Sequence, residues 1–565
     1  MDNKMIPQLM LLALLAACGH EGAQPETVSG KDEVPGGAVI NLVRVDPLEK
    51  IFQEQTAYDA YGEAEDLARG ETATFQFVLK SDTDLSEVSI VPGDLKCIAG
   101  SIPFTLKARE RYTRAGFHLE PAADDAMFPA SDQYPDCLDE SEIFDVAKNK
   151  AVPLWVSYSI PEDCEAGDYS ATVAVTGKIS SGEDFRVESK ISVKIYDVTI
   201  REQNLLVSNW HAHKFIPMIG NGMSVPIFSD PYYDLLTEMV HVMRDHGQNV
   251  YWLNPLSDYI KATRSGDDYV FDFKEFDRTI QLYIDEGNLK RIEGGHLARR
   301  SGNWESDYWV NVPDKGGLFP LSDPAAQKYL SSLIPALKKH LSEKGWWDIY
   351  LQHIGDEPAG PSVKSYIEIA NFVKDLAPDL TILDAVHSKD LGGTVDVWCP
   401  ELDHFEEDYS FYKQRKAAGD QLWYYTCMAP RGNYANRFLE LPLIKTRLLH
   451  WINFRYGATG YLHWGFNQDW TEALRWIATD NYCPGGDTYI VYPGPGKVYS
   501  SIRLEAMRDG INDYELLRML ARKDPSMANG LAANIILDFG AYNTDKETFR
   551  ATRRTLLLAL EGETE

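Results

Sequence analysis

Residues 347–385 read WDIYLQHIGDEPAGPSVKSYIEIANFVKDLAPDLTILDA. An apolar strand candidate, Trp347–Ile354, opens into a Gly-Asp-Glu-Pro loop. A helical stretch, Val363–Leu376, then leads to a second apolar strand, Thr381–Ala385. The same alternation extends in both directions. Strand candidates at Leu205–Lys214, Asn249–Leu253 and Leu289–Gly294 precede it, and Val395–Cys399, Leu422–Cys427 and Gly460–Trp464 follow it. Helical stretches at Tyr232–His246, Ala325–Glu343 and Leu439–Tyr456 lie between them, and Ser501–Leu520 supplies a last helix after an insertion from about Phe466 to Tyr499. Eight strands, each with a following helix, predict a (β/α)8 barrel over 202–522, with function at the C-terminal ends of the strands.

Upstream the periodicity differs. Thr72–Leu79, Val88–Val91, Val152–Ile160, Asp168–Thr176 and Phe185–Val198 alternate with period two and are separated by Gly, Asp and Pro, which predicts an antiparallel β-sandwich over 38–201. Downstream, 523–565 reads as a short helical appendage. At the N-terminus the apolar run Leu9–Ala17 is too short to span a bilayer and ends in Leu15-Ala16-Ala17-Cys18-Gly19, which resembles a lipoprotein signal with Cys18 as the lipidated residue. Residues 1–18 are expected to be the signal and 19–37 a flexible tether. The remaining cysteines form no C-x-x-C pair, and their pairing cannot be read from spacing.

The chain has 565 residues, with 55 Lys and Arg against 85 Asp and Glu, a formal net charge of -30. That excess repels polyanions, so nucleic acid and anionic lipid surfaces are excluded as principal partners and a membrane is reached only through the lipid anchor. Of 13 Trp, all but Trp155 follow Arg201. Trp210, Trp252, Trp398, Trp423, Tyr425 and Trp464 fall at predicted strand ends, where aromatic faces can pack on sugar C–H surfaces. The bland reading for each is core packing. Trp398, Tyr425 and Trp464 are the preferred sugar contacts, since each ends a different strand. Polar candidates are His213, Asn254, Glu293, His353, Asp384 and Asn467.

Asp356-Glu357 at the end of strand four, Asp396-Val-Trp-Cys-Pro400 at strand six and Arg503-Leu-Glu-Ala-Met-Arg-Asp-Gly510 on the last helix make the chain resemble glycoside hydrolase family 123 and its uncharacterised relatives. The resemblance implies a retaining exo-β-N-acetylgalactosaminidase that works by neighbouring-group participation, with Asp356 and Glu357 as catalytic residues. Neighbouring carboxylates serve a double displacement poorly, because nucleophile and acid must flank the anomeric carbon about 5 Å apart. If the substrate's own 2-acetamido oxygen attacks, Glu357 protonates the leaving oxygen while ionised Asp356 orients the acetamide N–H. Repulsion between the two should raise one apparent pKa. By analogy with other acetamido-assisted barrels, Tyr425 bonds the acetamide carbonyl. The mechanism needs no metal or cofactor. The sequence sets neither epimer preference nor oligomeric state.

Two rival readings use the same residues. His211 and His213 share one face of strand one, as a metal-dependent amidohydrolase would require, but strand six supplies Trp398-Cys399 where that family wants a histidine. A catalytically silent, glycan-binding surface lipoprotein on the same barrel is the other.

Overall fold

The computed structural model describes residues 31–33, 37–116, 118, 120–266, 268–477 and 483–562. The signal, Cys18 and most of the expected tether lie outside the described residues. Part of that tether is a strand: Lys31–Glu33 pairs antiparallel with Val39–Val45.

Two sheets form the N-terminal domain. One has six strands in the order Lys31–Glu33, Val39–Val45, Thr72–Ser81, Val152–Ser159, Leu106–Arg114, Gln133–Asp139. The other runs Phe144–Val146, Leu85–Pro92, Gly167–Ile179, Asp184–Thr199, Glu65–Arg69, with two short strands appended. The alternation that announced the sandwich is its burial pattern. Along Asp184–Thr199 every second residue from Phe185 to Ile195 is buried, because successive side chains leave a strand on opposite faces. Those side chains meet Phe75, Phe77, Leu154 and Val156 of the facing sheet in one core. The expectation of an antiparallel sandwich needs one amendment: Glu65–Arg69 pairs parallel with Asp184–Thr199.

The second domain is a closed eight-stranded parallel barrel of Leu206–Asn209, Val250–Leu253, Arg291–Gly294, Tyr350–Gln352, Thr381–Val386, Val397–Pro400, Gln421–Tyr425 and Gly460–His463. Leu206, Val250, Leu351, Leu383, Val397, Trp423 and Leu462 fill its interior, so it is a packed core with a site only at its mouth. The helices start and stop where the sequence signals it. Pro324–Lys344 is capped by the Asp323 carboxylate, begins with proline and ends on left-handed Gly345, while Ser501 caps Ile502–Lys523. The expectation of a helix after every strand fails once. Strands five and six are joined by 387–396 without a helix, which leaves His387 in a loop at the barrel mouth. Strands one and four are also shorter than expected. His213–Gly220 and Trp347–Ile349 are 3-10 turns, and neither segment continues the parallel ladder. Among the described residues no helix is long and apolar enough to cross a membrane.

The C-terminal segment is more than an appendage. Helix Lys546–Leu560 sends Arg550 to Asp46 and Glu65, and Arg553 to Glu71 of the sandwich and Asp513 of the barrel's last helix. Nearby, Arg503 of that last helix meets Asp136 of the sandwich through two hydrogen bonds of 2.8 and 2.7 Å, with both side chains fully buried. A fully desolvated pair is strongly destabilising when one partner is removed, by about 3–5 kcal/mol, because the other charge is stranded. Arg503→Met is therefore expected to lower the thermal unfolding temperature by several degrees, and the double variant Asp136→Leu/Arg503→Met to recover most of it. Differential scanning calorimetry checks this, and an unchanged single variant would show that the pair holds nothing together.

Candidate active site

The loop after strand four brings both carboxylates to one place. Gly355 has no tolerance for a side chain, since a Cβ there would lie 2.6 Å from the Tyr308 ring. Glu357 has φ +54°, in the left-handed region, which costs a residue with a Cβ about 1–2 kcal/mol. Several bonds hold this turn. The Glu357 N–H donates to Ala385 O at 3.1 Å. Arg300 donates to the carbonyls of Asp356 and Glu357 at 2.9 and 2.6 Å, and the Tyr308 hydroxyl donates to Asp356 O. The left-handed residue breaks the alternation that would send neighbouring side chains to opposite faces, so Asp356 and Glu357 both line the same cavity.

That cavity encloses about 720 Å³ at the barrel mouth, within the usual range for small-ligand sites. Trp210 and Trp252 stack on each other with centroids 4.0 Å apart and planes 14° apart. With Tyr425 and Trp464 they give the cavity aromatic walls, while His213, Asn254, His296 and Arg300 add polar groups. Amphipathic walls of this kind suit a ligand with apolar C–H faces and polar edges.

The two carboxylates differ electrostatically. Burial opposes ionisation of Glu357, but hydrogen bonds from His387 and Tyr425, together with the charges of His387 and Arg300, outweigh it and hold the carboxyl below its ordinary range. His387 Nε2 lies 3.3 Å from Glu357 and 3.1 Å from Glu401. Against the cost of burial those two carboxylates push the imidazole up to about 10, so it is a fixed cation. Asp356 sits in a recess. Although 51% of its side chain meets cavity space, crowding by the walls and the charge of Glu357 push it up to about 7. The raised member of the pair is thus Asp356, while Glu357 is the more acidic. His296 lies 3.9 Å from Asp356, is kept neutral by burial and by the charge of His353, and has a buried Nε2 without a partner.

The expected contact residues divide. Tyr425, Trp464 and His213 line the cavity; Tyr425 donates to Glu357, Trp464 to Asp487, and His213 lies 3.1 Å from Asp258. His353, Asp384 and Trp398 do not reach it. His353 is clamped between Asp384 and Glu293 at 2.8 and 2.7 Å, all three fully buried, and stays charged up to about 10 because those carboxylates outweigh its desolvation. Asp384 also accepts from Tyr366 and from the Ile354 N–H. These groups are the polar floor beneath the Asp356–Glu357 loop and position it. Trp398 points away from the barrel axis, packs on Phe411 and Tyr412 and donates to Asp420. Period two explains the error: Val397 and Cys399 face inward, so Trp398 cannot. Asn467 is buried and bound to the backbone of Ala212.

The metal site that the amidohydrolase reading would build on His211 and His213 does not form. His211 is buried against Tyr283, and His213 turns to Asp258. Among the described residues, neither belongs to a group of converging metal donors. The donor groups that do converge within 4.8 Å, His296 with His353 and Asp384, His387 with Glu401 and His404, and Glu357 with Glu401 and Cys427, lie elsewhere around the barrel mouth. Arg300, Tyr308, His296 and Glu401 carry no sequence signal of their own. The first two come from a hairpin in the loop after strand three, Ala298–Arg300 with Tyr308–Val312, and only folding brings them to strand four.

The architecture has counterparts among known proteins. The chain matches the structure of a family 123 glycoside hydrolase from Clostridium perfringens, solved for the details of glycolipid glycan hydrolysis, with TM-score 0.72 and 16% identity over 92% of this chain and 97% of that one. A GH2 β-galacturonidase from Eisenbergiella tayi matches at TM-score 0.33 and 12% identity, over 78% and 69% of the two chains. No curated protein matches the sequence. Residues 65–177 match the glycoside hydrolase 123 N-terminal domain and residues 219–520 the glycoside hydrolase 123 catalytic domain. With that catalytic domain over more than half its length, the chain belongs to glycoside hydrolase family 123 and is a glycoside hydrolase.

Proposed function

We propose that the protein releases terminal, non-reducing β-linked N-acetylgalactosamine with retention, using the substrate's acetamido oxygen as nucleophile. One observation carries the reading. Among the described residues, Asp356 and Glu357 are the only carboxylates lining the cavity, and they are adjacent. Glu401 comes within 4.8 Å of Glu357, but it is buried behind it and engaged by His387, so it offers no nucleophile across a bound sugar. An internal nucleophile removes that need.

The proton placement fits a site completed by its substrate. Without ligand, the shared proton sits on Asp356. An acetamide N–H donating to Asp356 stabilises its anion, and a Tyr425 hydroxyl transferred from Glu357 to the acetamide carbonyl removes one support of the Glu357 anion. Both exchanges move the proton toward Glu357, where it reaches the leaving oxygen. Asp356 then balances the oxazolinium charge, and Glu357 accepts a proton from the incoming water. The -30 net charge favours a neutral glycan over a sulfated one. Lipidation at Cys18 after export is part of the same proposal.

Hydrolysis of aryl β-N-acetylgalactosaminide, β-N-acetylglucosaminide and β-galactoside tests this reading. Turnover of the galactoside is expected to be at least a thousandfold lower, because effective molarity of the acetamide is lost, and the first-formed sugar should be the β-anomer by NMR. Equal turnover of the galactoside would sink the mechanism.

A further inference from the structure

We propose that Trp304 is the platform for the leaving-group sugar, the residue that makes the enzyme prefer glycan over simple alkyl aglycones; this rests on the glycosidase reading above. Trp304 is half exposed, at 50%, at the tip of the hairpin that supplies Arg300. An exposed indole costs hydration unless something covers it, and here the ring is held ready. The Arg300 guanidinium packs 3.7 Å from the ring centroid, and its Nε donates to Trp304 O at 2.8 Å. The turn beneath is tied by Asn303, which accepts from the Glu305 N–H and the Ser306 hydroxyl at 3.1 and 3.0 Å. A ring immobilised before binding loses little entropy when a sugar stacks on it.

Its place relative to the chemistry identifies the ligand. Trp304 lies 5.8 Å from the His387 ring, and His387 is 3.3 Å from Glu357. It therefore stands on the acid's side of the cavity, outside the aromatic walls that would hold the terminal sugar. The group bonded to the oxygen that Glu357 protonates departs on that side. Arg300 spans both parts, since the guanidinium that packs on the indole also holds the carbonyls of Asp356 and Glu357.

Trp304→Ala tests the assignment on two substrates, methyl β-N-acetylgalactosaminide, whose leaving group has no ring, and a neutral oligosaccharide with the same terminal residue. The methyl glycoside is expected to keep kcat/KM within about twofold and the oligosaccharide to lose roughly tenfold, chiefly in KM, with Trp304→Phe restoring most of it. Equal losses on both substrates would make Trp304 merely structural, and no loss on the oligosaccharide would overturn the proposal. Calorimetric binding of the oligosaccharide to Glu357→Gln with and without Trp304→Ala needs no turnover. A tenfold weaker affinity supports the platform even if the reaction class is misread, and unchanged affinity refutes it.

Discussion

Glu357→Gln is expected to reduce hydrolysis of a natural oligosaccharide by about 10³- to 10⁴-fold while costing an aryl glycoside with a good leaving group about tenfold or less, the upper range of general acid catalysis being spent where the leaving oxygen needs a proton. Glutamine keeps the size of the side chain and can still accept from Tyr425 and His387, so the loop and its left-handed residue should survive. The contrast between substrates carries the information. Equal losses on both would mean that Glu357 stabilises charge and donates no proton. Full activity on the glycan would remove Glu357 from the catalytic pair altogether. Steady-state kinetics on the two substrates decides between these outcomes.

Asp356→Asn, measured at its own pH optimum where Glu357 is protonated, is expected to cost about 10²- to 10³-fold on both substrates alike, the usual loss when one preorganised electrostatic partner of a charged intermediate is removed. Leaving-group independence distinguishes it from the first variant. The pH profile distinguishes it again. In the proposed mechanism catalysis requires one proton on the pair, held in the free enzyme by Asp356, which burial and Glu357 push up to about 7. As pH rises through about 7 both carboxylates become anionic, and kcat/KM should fall. The acidic limb lies where the pair takes up its second proton, below the ordinary glutamate range, because His387 and Tyr425 hold Glu357 low. Asparagine at 356 leaves only Glu357 to titrate, so the basic limb should move to acid pH. A profile of kcat/KM in the variant that still breaks near 7 would place that proton elsewhere.

Much of this was legible in the residues. Period-two runs and strand-helix alternation are local consequences of burying one face, and they announced both domains. Asp356 and Glu357 stood out because acidic residues at the end of a barrel strand sit where such folds place chemistry. Tyr425 and Trp464 were reachable by the same reasoning. Trp398 was not, because assigning a side chain to the inside or outside of a barrel needs the register, and a shift of one residue reverses it. His353 and Asp384 failed for a related reason: polar residues near a strand end can serve the ligand or support the loop beneath it, and only their full burial and mutual pairing show the second role.

The order of domains, the barrel and the adjacency of two carboxylates are readable from residue order alone, because each follows from periodicity or covalent neighbourhood. Tertiary structure decided what those carboxylates can do. His387 comes from the loop after strand five, Glu401 from the end of strand six, Tyr425 from strand seven, and Arg300 from a hairpin after strand three. Their charges and hydrogen bonds, acting through space at contact distance, push one carboxyl up and hold its neighbour down. Chain order carries no record of such distances, since they exist only once the barrel has closed.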